Sequence, residues 1–154
     1  MKTALTLNTW AVKDSLVLNG ETHTPIGYDY SDIPNRIEDA FYAWFPIKGD
    51  SMTNFEDAES SIPDGSMVLG RELECKDILD IPVNKPLLIS GTTDQGKHFN
   101  ICKTATCLNG ISGHIKLTGY NKEYKECWMP LRFIDKIFIV EQVRQTLNYT
   151  PIQL

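Results

Sequence analysis

A mainly β fold of short twisted strands with few helical turns is predicted by three features of the sequence. Six short apolar or alternating runs are separated by Pro, Gly, Asn and Asp clusters, their spacing is that of short-strand architectures, and helical periodicity is scarce. In chain order, residues 1–30 carry Trp10, Val12, Leu16 and Leu18 in partial alternation, then Gly20, Pro25 and Gly27. They read as an arm or hairpin that needs a neighbouring domain to bury it. Residues 33–40 suggest a helical turn. The aromatic run of residues 41–48 predicts the first strand of the main domain. Residues 52–60, with Glu56, Asp57 and Glu59 around an alanine, suggest another helical turn. Further strands are expected at 66–71, 86–91, 97–105, 113–117 and 135–144. The organisation is therefore an N-terminal arm or hairpin over 1–40, a compact domain over 41–146 and a tail over 147–154.

Length and charge narrow the function classes. The 154 residues are about one domain, enough to bury a core without staples. A net charge of −5 provides no general basic field, so direct nucleic-acid binding by this chain is not expected. The first residues are interrupted by polar side chains before a signal-like apolar segment forms, and no later run approaches a spanning length. A cytoplasmic protein without membrane contact is expected.

Several apparent motifs dissolve on inspection. Gly91–Lys97 fits the Gly-x-x-x-x-Gly-Lys core of a phosphate loop, but His98 stands where a magnesium-binding hydroxyl belongs. The residues that follow alternate with a strand period, whereas a phosphate loop must open a helix. The segment reads as a hairpin loop. Cys75, Cys102, Cys107 and Cys127 contain no Cys-x-x-Cys pair, and His23, His98 and His114 are scattered, so neither metal nor cofactor is expected. Asn148–Thr150 is formally a glycosylation acceptor and reads as tail.

The informative stretch is Gly49-Asp50-Ser51-Met52, followed by Ile62-Pro63-Asp64-Gly65 and the run Met67–Leu69. Gly and Asp favour a tight turn after the 41–48 strand, which would display the Ser51 hydroxyl at the rim of a sheet. Three segments follow: Phe99–Thr104 with its lysine, Leu117–Tyr124 with Asn121 and Tyr124, and Lys136–Arg144. In content and order these boxes resemble the LexA-like and UmuD-like self-cleaving serine peptidases, over roughly residues 41–145. The resemblance implies the compact β fold shared by LexA C-terminal domains and signal peptidases.

It also implies a Ser-Lys dyad, with Ser51 as nucleophile and a lysine from the 99–104 segment as base. A serine hydroxyl needs a base, and a lysine can serve only while neutral, which burial on an apolar strand promotes. Lys103 shares strand parity with Phe99 and Ile101 and is the candidate. Laid directly on the family's Val-Lys-Arg-Leu, however, the segment puts Cys102 at the lysine position. An offset of one restores Lys103, and sequence leaves both registers open. Gly49, Asp50 and Met52 would support the turn and the oxyanion-binding amides. The stretch between Ser51 and Ile62 is longer than the family's. The upstream Ala-Gly or Cys-Gly cleavage bond has only Asn19-Gly20 and Ile26-Gly27 as substitutes.

Three functions are consistent with these features. The first is a self-cleaving serine endopeptidase in a stress, SOS or prophage response, with homodimerisation through the final strands. A protein regulator or polymerase would be a further partner by analogy. The second is a non-cleaving dimerisation or sensing domain of a phage-repressor-like transcriptional regulator, for which an upstream helix-turn-helix is expected. The third is a signal-peptidase-like enzyme, which should carry a membrane anchor.

Overall fold

Tyr42–Phe45 and Leu87–Ile89 are uninterrupted apolar runs, and such strands have two faces to bury. The computed structural model describes the backbone at residues 3–7, 16–18, 21–23, 28–32, 37, 40–74 and 78–144, and the side chains at 37, 40–74 and 79–144. The chain is mainly β among these residues. Its strands are β1 (Thr3–Leu7), β2 (Leu16–Leu18), β3 (Glu21–His23), β4 (Tyr28–Asp32), β5 (Tyr42–Pro46), β6 (Met67–Leu73), β7 (Pro86–Thr92), β8 (His98–Asn109), β9 (His114–Thr118), β10 (Cys127–Pro130) and β11 (Ile134–Arg144). Two 3-10 turns, Ile78–Asp80 and Leu131–Phe133, are the described helical elements.

The main sheet runs β10-β9-β8-β7-β11-β6-β5-β1-β4. From β10 to β5 every neighbour pair is antiparallel. One parallel pairing, Leu7 with Ala43, joins β1 to β5, and β2 with β3 forms a separate hairpin. Register gaps between Ala105 and Cys107, Ile134 and Lys136, and Val140 and Gln142 mark bulges in β8 and β11. Bulges bend and twist the strands that carry them, which lets a long sheet coil over its own apolar residues.

Alternate strand residues divide between the faces. Ala43, Phe45, Val68, Leu88, Cys102 and Phe138 form one buried cluster, covered by Met52 and Ile62 from the connection between β5 and β6. Phe45 and Phe138 meet there with ring centroids 4.9 Å apart. Leu87, Ile89, Ile115, Leu117, Ile137 and Ile139 lie in a second cluster, and Tyr42, Trp44 and Leu69 in a third. Burial on both sides accounts for the continuous apolar runs.

The six strands expected after residue 40 are present with small shifts, β8 continuing to Asn109 past its bulge. β10 is additional: the charged run before it and Pro130 read as loop, yet Cys127–Pro130 pairs with Leu117–His114. Residues 52–60 form turns rather than a helical turn. Asn54 Oδ1 accepts from the amides of Glu56 and Asp57, and Asp57 Oδ1 accepts from Glu59, so local side-chain acceptors replace helical ones. The expected turn at 33–40 falls largely outside the described residues. Thr93–Lys97 forms the hairpin loop between β7 and β8, closed by Thr93 N donating to Lys97 O, while Gly91 and Thr92, expected in the loop, belong to β7. No helix among the described residues is long and apolar enough to cross a membrane.

At Gly91 a Cβ would run into the carbonyl oxygen of Phe133 and lie 2.6 Å from the ring of Phe99. Gly91→Ala should therefore cost about 1–3 kcal/mol through overpacking against backbone that cannot yield. Urea unfolding should show a lower midpoint with an unchanged slope, and an unchanged midpoint would contradict this packing.

Candidate active site

After Pro46 the chain leaves β5, and the sequence itself closes the next turn. Gly49 has φ +89°, the left-handed region where a side chain would be strained, and its amide donates to Asp64 Oδ1 at 2.8 Å. Thr53 N donates to Asp50 O at 3.0 Å, while Met52 sinks into the first core cluster and its carbonyl accepts from Ile62 N. The Ile62–Gly65 segment thus braces the Gly49–Met52 turn from beneath. Ser51, half-buried, lies between the anchored Met52 and the turn carbonyls.

A second brace comes from the segment after β9. Asn121 is buried, its amide donates to Ser51 O at 3.0 Å and its Nδ2 donates to Asp50 O at 3.2 Å. Its Oδ1 accepts from Glu123 N, and Tyr124 N donates to its carbonyl. The Tyr124 hydroxyl then donates to Asp50 Oδ1, an interaction that raises the phenol above its ordinary pKa. Asp50 therefore holds the turn and points its carboxylate at a phenol. Among the described residues the amides of Asp50, Ser51 and Met52 donate to no acceptor, whereas that of Gly49 is committed to Asp64. The free amides of the turn are those next to the hydroxyl.

Lys103 reaches the same place from β8. Thr104 pairs with Thr118, the last residue of β9, so Gly119 stands beside Lys103. A Cβ at Gly119 would overlap the carbonyl oxygen of Ser51 and lie 3.2 Å from Lys103 Nζ. Only a residue without a side chain lets strand, turn and amine approach one another. The Lys103 amine lies 5.1 Å from the centroid of the Tyr124 ring, a contact that favours the charged form. Burial outweighs it: desolvation lowers the lysine below its ordinary value of 10.5, opposed by the neighbouring sulfurs of Cys127 and Cys102.

Cys102 occupies the opposite side of the strand. It pairs with Leu88, packs in the cluster that holds Met52, and burial pushes its thiol up to about 12. A thiol held neutral there is neither base nor nucleophile at ordinary pH. Ser51, Cys102 and Lys103 all line one cleft of about 170 Å³, walled on its apolar side by Pro46, Ile47, Leu88 and Ile101. No hydrogen bond joins Ser51 Oγ to Lys103 Nζ among those described. Catalytic contacts of this kind commonly tighten only with substrate in place.

Asn100, which sequence reasoning passed over, lines this cleft too. It is buried opposite Ser90 of β7, and neither Nδ2 nor Oδ1 has a hydrogen-bond partner. Each unpaired buried amide group costs about 1–3 kcal/mol. The signal was present as a carboxamide at a core-facing position between Phe99 and Ile101. Among the described residues no three His, Cys, Asp or Glu side chains converge as metal ligands.

The different settings of the thiols give a direct check. Cys107 and Cys127 are exposed and Cys102 is buried. Native alkylation at neutral pH, read by mass spectrometry, should label the first two at least about tenfold faster than Cys102. Equal rates would mean that Cys102 faces solvent and that Lys103 and Cys102 have exchanged sides. No family model and no curated protein matches this chain, so the candidate rests on the arrangement of Ser51, Lys103 and their supports.

Proposed function

We propose that this protein is a LexA/UmuD-like serine endopeptidase that cleaves its own chain, with Ser51 as nucleophile and Lys103 as general base. The observation that carries the reading is the convergence of Ser51 and a partly desolvated Lys103 amine in one cleft, with Gly119 between them. Neutral Lys103 Nζ accepts the Ser51 proton as Oγ attacks the scissile carbonyl carbon, and the turn amides of Ser51 and Met52 receive the developing oxyanion. The Lys103 ammonium then gives its proton to the leaving nitrogen as the C–N bond breaks. Water, deprotonated by the again neutral lysine, attacks the resulting ester and releases the Ser51 hydroxyl.

The proposal extends to a regulatory setting: cytoplasmic self-cleavage in a stress, SOS or prophage response, by a homodimer. Because β11 is paired on both sides, by β6 and β7, a dimer through the final strand would use side chains rather than a free backbone edge. A non-cleaving sensing domain of a phage-repressor-like regulator is the second reading. The absence of a Ser51–Lys103 hydrogen bond favours it, together with the lack of an Ala-Gly or Cys-Gly bond before Gly49.

The pH dependence separates the two. A depressed lysine pKa means that cleavage rises with pH, roughly tenfold per unit, and levels off below 10.5. The same depression makes the unfolded chain bind more protons in that interval. Lys103 therefore destabilises the fold at lower pH, and this cost fades as pH rises through its folded pKa toward 10.5. Purified protein incubated at increasing pH should yield two fragments at increasing rate. Ser51→Ala should abolish them, and Lys103→Ala should slow them by about 10²–10⁴-fold. An intact chain at alkaline pH would leave the non-cleaving reading.

A further inference from the structure

We propose that the cleft beside Ser51 selects a peptide residue bearing a carboxamide, asparagine or glutamine, held side chain to side chain by Asn100. The inference deepens the peptidase reading and rests on it for the cleavage step alone. Asn100 lines the cleft with the apolar Pro46, Ile47, Leu88 and Ile101 and with Lys48, and its buried Nδ2 and Oδ1 have no hydrogen-bond partner. A group entering that cleft is largely removed from water, so its polar atoms must be met by the wall. A second carboxamide presents the complementary acceptor and donor in the same plane and satisfies all four groups at once.

Other side chains fit the wall less well. An aliphatic residue leaves both Asn100 groups unpaired, and a hydroxyl works through a single oxygen. A carboxylate sets acceptor against Oδ1 and would hold the nearby Lys103 in its charged form, removing the base. An ammonium adds a like charge beside Lys103. The chain places a carboxamide before a glycine at Asn19-Gly20, Gln95-Gly96 and Asn109-Gly110; of these only Asn19-Gly20 lies upstream of Ser51, where Ile26-Gly27 presents no carboxamide. Cleavage of its own chain is therefore assigned to the Asn19-Gly20 bond.

The test uses the full chain carrying Asn19→Leu, so that its own segment presents no carboxamide. Peptides spanning residues 15–24 are supplied in trans with Asn19 retained or changed by Asn19→Gln, Asn19→Leu or Asn19→Asp. Cleavage is followed by mass spectrometry, and binding by fluorescence anisotropy in protein that also carries Ser51→Ala. The glutamine peptide distinguishes enzymatic cleavage from spontaneous chemistry at Asn-Gly. Both carboxamide peptides should exceed the leucine and aspartate peptides by at least about tenfold in kcat/KM and in affinity, and Asn100→Leu should level the series. If Asn100→Leu does not fold, Asn100→Asp keeps the shape, removes the donor and should still erase the preference. Cleavage without carboxamide preference, or a preference that survives at Asn100, overturns the inference and leaves the peptidase reading intact. Carboxamide-selective binding lost on Asn100 substitution, with no peptide cut, upholds the inference and overturns the peptidase reading. Neither binding nor cleavage overturns both.

Discussion

The turn that carries Ser51 is held from two directions, and the hydrogen bonds from Asn121 to its carbonyls are what tie it to the rest of the site. Asp64 fixes the Gly49 amide from the β6 side, but this alone would leave the turn free to hinge on β5. The Asn121 amide and Nδ2, bound to Ser51 O and Asp50 O, bring the segment after β9 against it. Because β9 is paired with β8, that contact also sets the distance between Ser51 and Lys103. A carboxamide buried at 2% exposure with its donors and acceptor engaged is a rigid spacer, and the approach it enforces is close enough to require Gly119.

Lys103 is under two opposed influences, and their balance decides what it can do. The Tyr124 ring favours an ammonium, and withdrawal from water favours an amine. Desolvation is the larger, which leaves the lysine below its ordinary pKa while half-buried and still in reach of solvent protons. Tyr124 makes a second contact through its hydroxyl on Asp50, so the same residue that touches the amine also secures the turn that carries Ser51. Had the strand register been shifted by one, a thiol would have taken this place. Cys102, packed beneath Met52, is where the sheet needs an apolar side chain and receives one.

Much of this was legible in the sequence, for reasons that differ by residue. Gly49 and Gly65 announce turns because their backbones need positive φ, and the runs at Tyr42–Phe45 and Leu87–Ile89 announce strands because nothing else buries them. β10 escaped because a four-residue edge strand with exposed Cys127 and Trp128 carries no apolar period of its own; β9 defines it. The choice between Cys102 and Lys103 was undecidable for a related reason. Alternation tells which residues share a face, but the identity of each face depends on what covers it. Here Met52 and Ile62, far from β8 along the chain, supply the cover.

The unpaired carboxamide of Asn100 stands apart from that pattern, because packing alone gives no reason for it. Leu88 and Cys102 show that this face of the sheet accepts apolar side chains, and one at position 100 would spare the cost of two unmet hydrogen-bonding groups. Asn121 demonstrates what a structural asparagine looks like in the same protein: every group on it is engaged. Asn100 has the same chemistry, comparable burial and no partner, and it differs in lining the cleft that Ser51 and Lys103 share. On the proposed reading a ligand carboxamide would meet those two groups, so that what costs stability would give selectivity.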